Sequence, residues 1–365
     1  MKRSVRNLIM ILLFTGAAAG SCLAQDTTEN KPLTFSGYAE VYYTYDFNRP
    51  GDHTRPAFLY SHNRTGEINL NLGYLKAAYG SSRVRGNLAL AAGTYMNANY
   101  AAEEGVLKNI YEANIGVKLS GKRKLWIDAG ILPSHIGFES AVGKDNWTLT
   151  RGLAAENSPY FETGLRLGYT TLNGKWYLAA LYLNGWQRIQ RPEENNTPAF
   201  GAEVTFRPSE KVTLNYSGFS GSDQPDSLRK MRYFNNLYGI FQISDRFGIT
   251  AGIDFGLEQQ EKGSGDLHTW YAPVLIFRYS PSSRIHIAVR GEYYRDKNGV
   301  ILATGMTHGA ALTGVSANVD YAITSHVVWR TEARNLSSKD AIFIKKDGSV
   351  AGHTTAATTA LAIFF

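Results

Sequence analysis

The side chains able to do chemistry in this chain stand at every second position of otherwise apolar segments. Phe247, Ile249, Ala251, Ile253, Phe255 and Leu257 alternate with Thr250, Asp254 and Glu258. Ile285, Ile287, Val289, Gly291 and Tyr293 alternate with His286, Arg290 and Glu292. Phe161, Thr163, Leu165, Leu167 and Tyr169 do so with Glu162 and Arg166, and Phe200, Ala202, Val204 and Phe206 with Glu203 and Arg207. Collected along the chain, the charged faces hold Glu40, Arg85, Glu112, Lys118, Asp128, Glu162, Arg166, Glu203, Arg207, Asp254, Arg290, Glu292, Arg330, Glu332 and Arg334. Carboxylates and guanidiniums of both signs on one face can pair with one another and hydrate a wall. Around a water-filled passage they also set a field that sorts ions. Neither role makes or breaks a bond.

Bond-making constellations are missing. The sequence has no G-x-S-x-G elbow, no G-x-x-x-x-G-K-[ST] phosphate loop and no H-E-x-x-H. Its eight histidines, at 53, 62, 135, 268, 286, 308, 326 and 353, lack metal-ligand spacing. A Ser-His-Asn site on an outer wall would need outward histidines, whereas His286 and His326 are read as inward and on different segments. No catalytic residue, metal or cofactor is therefore expected, and the chain is not read as an enzyme. The formal charge is +7, with 38 basic and 31 acidic residues. Setting aside Lys2, Arg3 and Arg6 leaves +4, too mild and too dispersed to suggest nucleic acid.

Those three cations open a targeting segment. An apolar run from Leu8 to Phe14 and small residues from Gly16 to Ser21 lead to Cys22-Leu23-Ala24. The run is too short to span a bilayer, so residues 1–24 are expected to be a cleaved secretory signal. Lipidation at Cys22 is the rival processing route, through Ala19-Gly20-Ser21-Cys22, although the usual leucine is absent. Cleavage leaves 341 residues, 25–365, as one domain and removes the only cysteine, hence any disulfide or thiolate chemistry.

The elements that must carry the charged faces follow from alternation and spacing. Residues 33–47 put Leu33, Phe35, Gly37, Ala39, Val41, Tyr43, Tyr45 and Phe47 on one face, with Glu40 and Asp46 on the other. A strand of about 15 residues is long for a soluble sheet and suits a tilted crossing of a membrane. Abundant Tyr, Phe and Gly (22, 17 and 36) accompany a mean hydropathy of −0.25, as when only every second residue meets lipid. Tight polar turns are expected at 80–82, 120–123, 172–175, 207–210, 244–246, 280–283 and 323–325. Longer connections fall near 48–66, 96–108, 133–159, 187–198, 219–232, 259–268, 296–306 and 336–350. Eight long and seven short connections make sixteen strands, with both ends on the short-turn side. Lipid tolerates no open edge, so this all-β, up-and-down meander must close as an antiparallel transmembrane β-barrel. Sixteen strands leave room for a water-filled lumen.

Two further features fit. Tyr43, Tyr45, Phe47, Tyr95, Tyr169, Trp176, Tyr182, Tyr271, Tyr279, Tyr293, Tyr321 and Trp329 lie near the limits of the apolar band, as interfacial girdles require. The last segment, Thr355, Ala357, Thr359, Leu361, Ile363 and Phe365, ends in an aromatic carboxylate. It resembles the terminal signature that the assembly machinery of bacterial outer-membrane barrels reads.

The segment Asp128-Ala129-Gly130-Ile131-Leu132-Pro133-Ser134-His135-Ile136-Gly137-Phe138-Glu139-Ser140 resembles the OmpL-like β-barrel porin family, common in Gram-negative bacteria of the Bacteroidetes type. Ser36-Gly37-Tyr38-Ala39-Glu40-Val41-Tyr42-Tyr43 and Ser158-Pro159-Tyr160-Phe161-Glu162-Thr163-Gly164 are similar to the same family. The resemblance implies an outer-membrane porin without catalytic residues, in contact with outer-membrane lipid. It also implies that the longest connection, 133–159, folds inward as a constriction, with His135, Glu139, Asp145 and Arg151 as candidate charged residues. Analogy with sixteen-stranded porins offers a homotrimer. The expected function is passive diffusion of small hydrophilic solutes. The alternatives are a channel specific for a sugar or anion, with Tyr38, Tyr42, Trp126, Tyr177 and Trp270 as inward stacking candidates, and a plugged structural or adhesive barrel.

Overall fold

The computed structural model describes residues 32–365. The expected signal segment 1–24, with Cys22, lies outside the described residues. Eighteen strands follow one another, sixteen of them in the barrel. These are β1 (Leu33–Asp46), β2 (Ile68–Gly80), β3 (Val84–Ala92), β4 (Ile110–Lys118), β5 (Lys124–Pro133), β6 (Phe161–Thr170), β7 (Trp176–Leu183) and β8 (Ala199–Ser209). The second half holds β9 (Val212–Gly221), β10 (Arg232–Gln242), β11 (Phe247–Gln259), β12 (Leu267–Tyr279), β13 (Ile285–Asp296), β14 (Ala310–Ala322) and β15 (Val327–Ser338). After a two-residue hairpin, β16 (Phe343–Ile344) with β17 (Val350–Ala351), the last barrel strand β18 (His353–Phe364) closes antiparallel on β1.

Every barrel strand pairs antiparallel with its neighbours in chain order, so sequence alternation becomes inside and outside. Leu75, Leu88, Ile115, Leu237, Val315 and Leu361 are exposed outward, where lipid replaces water. Tyr43, Tyr45, Tyr182 and Tyr271 ring the long-loop end, and Tyr79, Trp176, Tyr321 and Trp329 the other. Tyr95 is not part of either girdle. It is fully buried in a short helix, α1 (Thr94–Asn99), because the chain folds inward after β3 at Gly93 (φ 132°). A side chain at Gly93 would strike the Asn71 carbonyl.

The short turns have a local cause. Ser81, Ser120, Ser244 and Ser282 each accept, through Oγ, the amide three residues on, at 3.0–3.2 Å. At 171–176, Asn173 Oδ1 takes the Lys175 amide and Gly174 supplies φ 71°. Segment 69–79 alternates imperfectly because β2 carries a bulge. Opposite Glu40 and Val41 stand Leu72 and Leu70, and Asn71 is the extra residue. At the seam, Gly37 and Phe365 exchange two backbone hydrogen bonds of 3.1 Å. The Phe365 ring lies where a Gly37 Cβ would be.

The eight long connections, L1 to L8, occupy 47–67, 93–109, 134–160, 184–198, 222–231, 260–266, 297–309 and 339–352. L3 contains a second short helix, α2 (Leu153–Glu156).

Candidate functional site

L3 crosses the lumen and is bolted to the wall on several sides. At its start His135 is buried between the Glu162 carboxylate (2.8 Å) and the Gly218 carbonyl (2.9 Å). Both ring nitrogens face acceptors, which only an imidazolium satisfies. Burial opposes that charge, but Glu162 and the Gly218 carbonyl outweigh it and raise the His135 pKa. One step on, the Gly137 amide donates to Asn236 on β10 (3.2 Å), and Asn236 donates to Asp254 on β11 (2.6 Å).

Farther along, the loop meets β13 to β15. Arg290 donates to Thr148 Oγ1 (2.7 Å), the Thr150 carbonyl (2.6 Å) and Glu332 (3.0 Å), with Glu139 and Glu292 at 3.7 and 3.3 Å. Glu332 accepts the Thr150 amide, Asn318 on β14 the Leu149 amide, and Glu292 the Leu153 amide. Arg334 joins the Arg151 carbonyl (3.0 Å) to Glu292 (2.7 Å). Arg330 reaches the Gly143 and Asn146 carbonyls while paired with Asp320 (2.6 Å). Gly143 rests so close to Glu40 on β1 that a side chain there would overlap the carboxylate.

Within the loop, Arg151 ties the carbonyls of Ser140, Ala141 and Leu149 together at 2.5–2.8 Å. Glu139 accepts the Gly152 amide (2.8 Å), and burial pushes its carboxyl upward despite Arg290. Glu156 accepts the Tyr60 and Ser61 amides of L1 at 2.8 and 3.1 Å, and burial raises its pKa to about 7. On the β1 side of L1, His62 sits on Glu40 (3.0 Å), and burial keeps its imidazole below the ordinary value. Glu40 also accepts from Tyr38 (2.8 Å) and Asn71 (2.9 Å). Such buried charges are tolerated only because each is paired and hydrogen-bonded. Removing one partner of a buried pair costs about 3–5 kcal/mol.

Among the described residues L3 makes no hydrogen bond to β2, β3, β4, β5, β7 or β8, and it bonds β6 only at Glu162. That arc is different in kind. Lys76 pairs with Glu112 (2.5 Å); Arg85 grips Asp128 through two bonds of 2.7 Å, and Arg166 approaches the same carboxylate at 3.5 Å. Arg85 also lies over the Trp126 ring at 4.4 Å. The cationic side chains keep 17–22% of their surface in water, while Glu112 and Asp128 keep 5% and 2%. Lys118 and Arg207 are likewise half-buried on the inner face, whereas Glu203 is buried against Thr205 and Asn215.

The sequence-selected residues thus fall into two groups. Glu40, Glu162, Asp254, Arg290, Glu292, Arg330, Glu332 and Arg334 point inward but are buried under loops. Arg85, Lys118, Arg166 and Arg207 point inward and touch water; Glu112, Asp128 and Glu203 are buried beside them. In L3, His135, Glu139 and Arg151 are buried, and only Asp145, paired with Lys144 at 2.6 Å, is half-exposed. Of the stacking candidates, Tyr38, Tyr42 and Trp270 are at most 3% exposed and belong to packed clusters. Lys76, Asn236 and Asn318 also belong to this inward set, and their place in the alternation marks them. Nothing in the local sequence marks His62, whose partners Glu40 and Asn71 lie on β1 and β2, or Glu156, whose partners lie on L1.

Comparison with known proteins agrees with this architecture. The model of the family described as Putative beta-barrel porin-2, OmpL-like, matches residues 32–365. No curated protein matches the chain significantly. Among solved structures it is similar to an anion-selective porin from Comamonas acidovorans (9% identity, TM-score 0.60, covering 91% of this chain and 99% of that one). It is similar to the outer membrane channel DcaP of Acinetobacter baumannii (10% identity, TM-score 0.60, 91% and 97%). A third likeness is to the trimer form of OmpT, an outer membrane protein of Vibrio cholerae (10% identity, TM-score 0.56, 91% and 99%). At such identities the likeness is one of fold.

Proposed function

Because the chain belongs to the OmpL-like β-barrel porin family, we propose that it is a diffusion porin whose water path follows the arc β2–β8 and favours small anions. Its place in the outer membrane and its channel-type barrel follow from family and fold. The observation that carries the finer reading is the asymmetry of that arc. Lys76, Arg85 and Arg166 keep 17–22% of their side-chain surface open, while their acidic partners keep 2–5%. A passage lined by uncovered cations enriches anions and depletes cations.

In this reading L3 narrows the lumen from the opposite side. Lys144 and Asp145 alone among its charged residues would face the path, and His135, Glu139 and Arg151 would hold the loop in place rather than line an opening. Residues 1–24 would be removed on export, and the Phe365 strand would present the assembly signal. Packing of the lipid-facing wall against two further copies would give a homotrimer, the form named for the Vibrio cholerae neighbour. No enzymatic activity is assigned. Liposome swelling with sugars of graded size tests the function. A size cut-off supports a diffusion porin; swelling by one sugar only, or none at all, overturns it.

A further inference from the structure

The long-loop mouth holds a cavity of about 490 Å³ walled by L1, L7 and L8. One side is apolar: Phe58 of L1 meets Phe343 of L8 edge to face at 6.5 Å, and Ile301, Leu302 and Ile342 continue the surface. The wall is held in shape. Asp296, buried at the end of β13, accepts the amides of Val300, Ile301 and Leu302 at 2.8–3.0 Å. The Lys346 amide ties L8 to the Asn48 carbonyl of L1.

Arg55 also lines this cavity, and its guanidinium is under-used. The residue is 5% exposed, its Nε has no hydrogen-bond partner among the described residues, and its ionic neighbour Asp46 stands off at 3.8 Å. Asp46 accepts Thr354 Oγ1 at 2.7 Å and the Asn48 amide at 2.9 Å, both at Oδ1, which holds its Oδ2 off Arg55 rather than in a hydrogen bond with it. A guanidinium carries five donors in a fork that fits a carboxylate, and leaving such donors buried without acceptors is costly. A cavity of a few hundred cubic ångströms with an apolar side and a few convergent polar groups, here the Arg55 guanidinium with the Asp46 carboxylate beside it, is the usual form of a small-molecule site.

We propose that this cavity is a binding site for small apolar carboxylates, with the carboxylate on Arg55 and an aryl or branched alkyl body against Phe58, Ile301, Leu302 and Phe343. The site would concentrate such solutes at the outer mouth. It rests on the channel reading only for their onward route, because equilibrium binding is measured without flow.

The test is calorimetric titration of the full chain, folded in detergent, with 3-phenylpropionate. The neutral 3-phenylpropan-1-ol is the comparator and R55Q the variant. Saturable binding of the acid is expected, at least tenfold weaker for the alcohol and for R55Q. Equal affinity for acid and alcohol, an unaltered R55Q, or no saturable binding of the acid at millimolar concentration would overturn the proposal. Should R55Q fail to fold, the comparison of acid and alcohol on the unaltered protein decides alone.

Discussion

Replacing Arg166 by Gln and, separately, Asp128 by Asn should move ion selectivity in opposite directions. Arg85 and Asp128 form a neutral pair through two 2.7 Å bonds, and Arg166 at 3.5 Å leaves the cluster at one net positive charge. Arg166→Gln takes the cluster to zero without disturbing the pair, whereas Asp128→Asn takes it to two. A unit charge acting on an ion about 5 Å away in a water-like medium is worth about 0.8 kcal/mol. Screening over half a Debye length at 0.1 M salt cuts this to about 0.5 kcal/mol. The field acts with opposite sign on anion and cation, so the permeability ratio changes by about 1 kcal/mol, roughly fivefold. The zero-current potential of single channels across a KCl gradient reads this ratio. Anion preference should fall about fivefold in the first variant and rise about fivefold in the second. If both keep the parent potential, the ions do not pass this arc and the argument from its uncovered cations fails. Heat-modifiable gel mobility confirms that each variant folds.

The loop and its pH response give two further expectations. Deleting residues 139–150 removes the middle of the strap across the lumen and should raise single-channel conductance; unchanged conductance would mean that L3 does not narrow the path. Glu156 binds L1 to L3 with a folded pKa raised to about 7 from 4.5. Burial favours the protonated acid and outweighs the Tyr60 and Ser61 amides, which favour the carboxylate, so the folded arrangement is most stable below about pH 4.5 and loses stability as pH rises through 7. The difference is on the order of 3 kcal/mol. Channel opening events from L1 and L3 should therefore be more frequent at pH 8 than at pH 5.5, and Glu156→Gln should flatten that dependence.

The apparent contradiction of a porin full of buried charge has a physical resolution. A loop packed against the wall buries its amides and carbonyls away from water, and these must be met by the wall. Here Glu292, Glu332, Asn318 and Asn236 meet amides, and Arg290, Arg330 and Arg334 meet carbonyls. An inward charge is therefore as much a loop anchor as a pore lining.

The chain's period-two alternation and the strict succession of short and long connections determined the sixteen-stranded barrel, the placement of both strand ends on the short-turn side and the inward set of charges. Those are local properties, fixed by the pleat and by turn residues such as Ser81 and Asn173-Gly174. Which inward charges meet water was decided only by tertiary structure. Arg290 and Arg166 occupy equivalent places in their strands, yet one is fully buried under L3 and the other keeps 17% of its side chain in water. The same holds for Tyr95, whose aromatic character suited a girdle until Gly93 turned its segment inward, and for Arg55, which acquires its cavity only from L7 and L8. Arg290 meets its L3 partners about 140 residues away and Arg55 meets L7 and L8 about 250 or more residues away, and no spacing in the sequence encodes where a folded loop will come to rest.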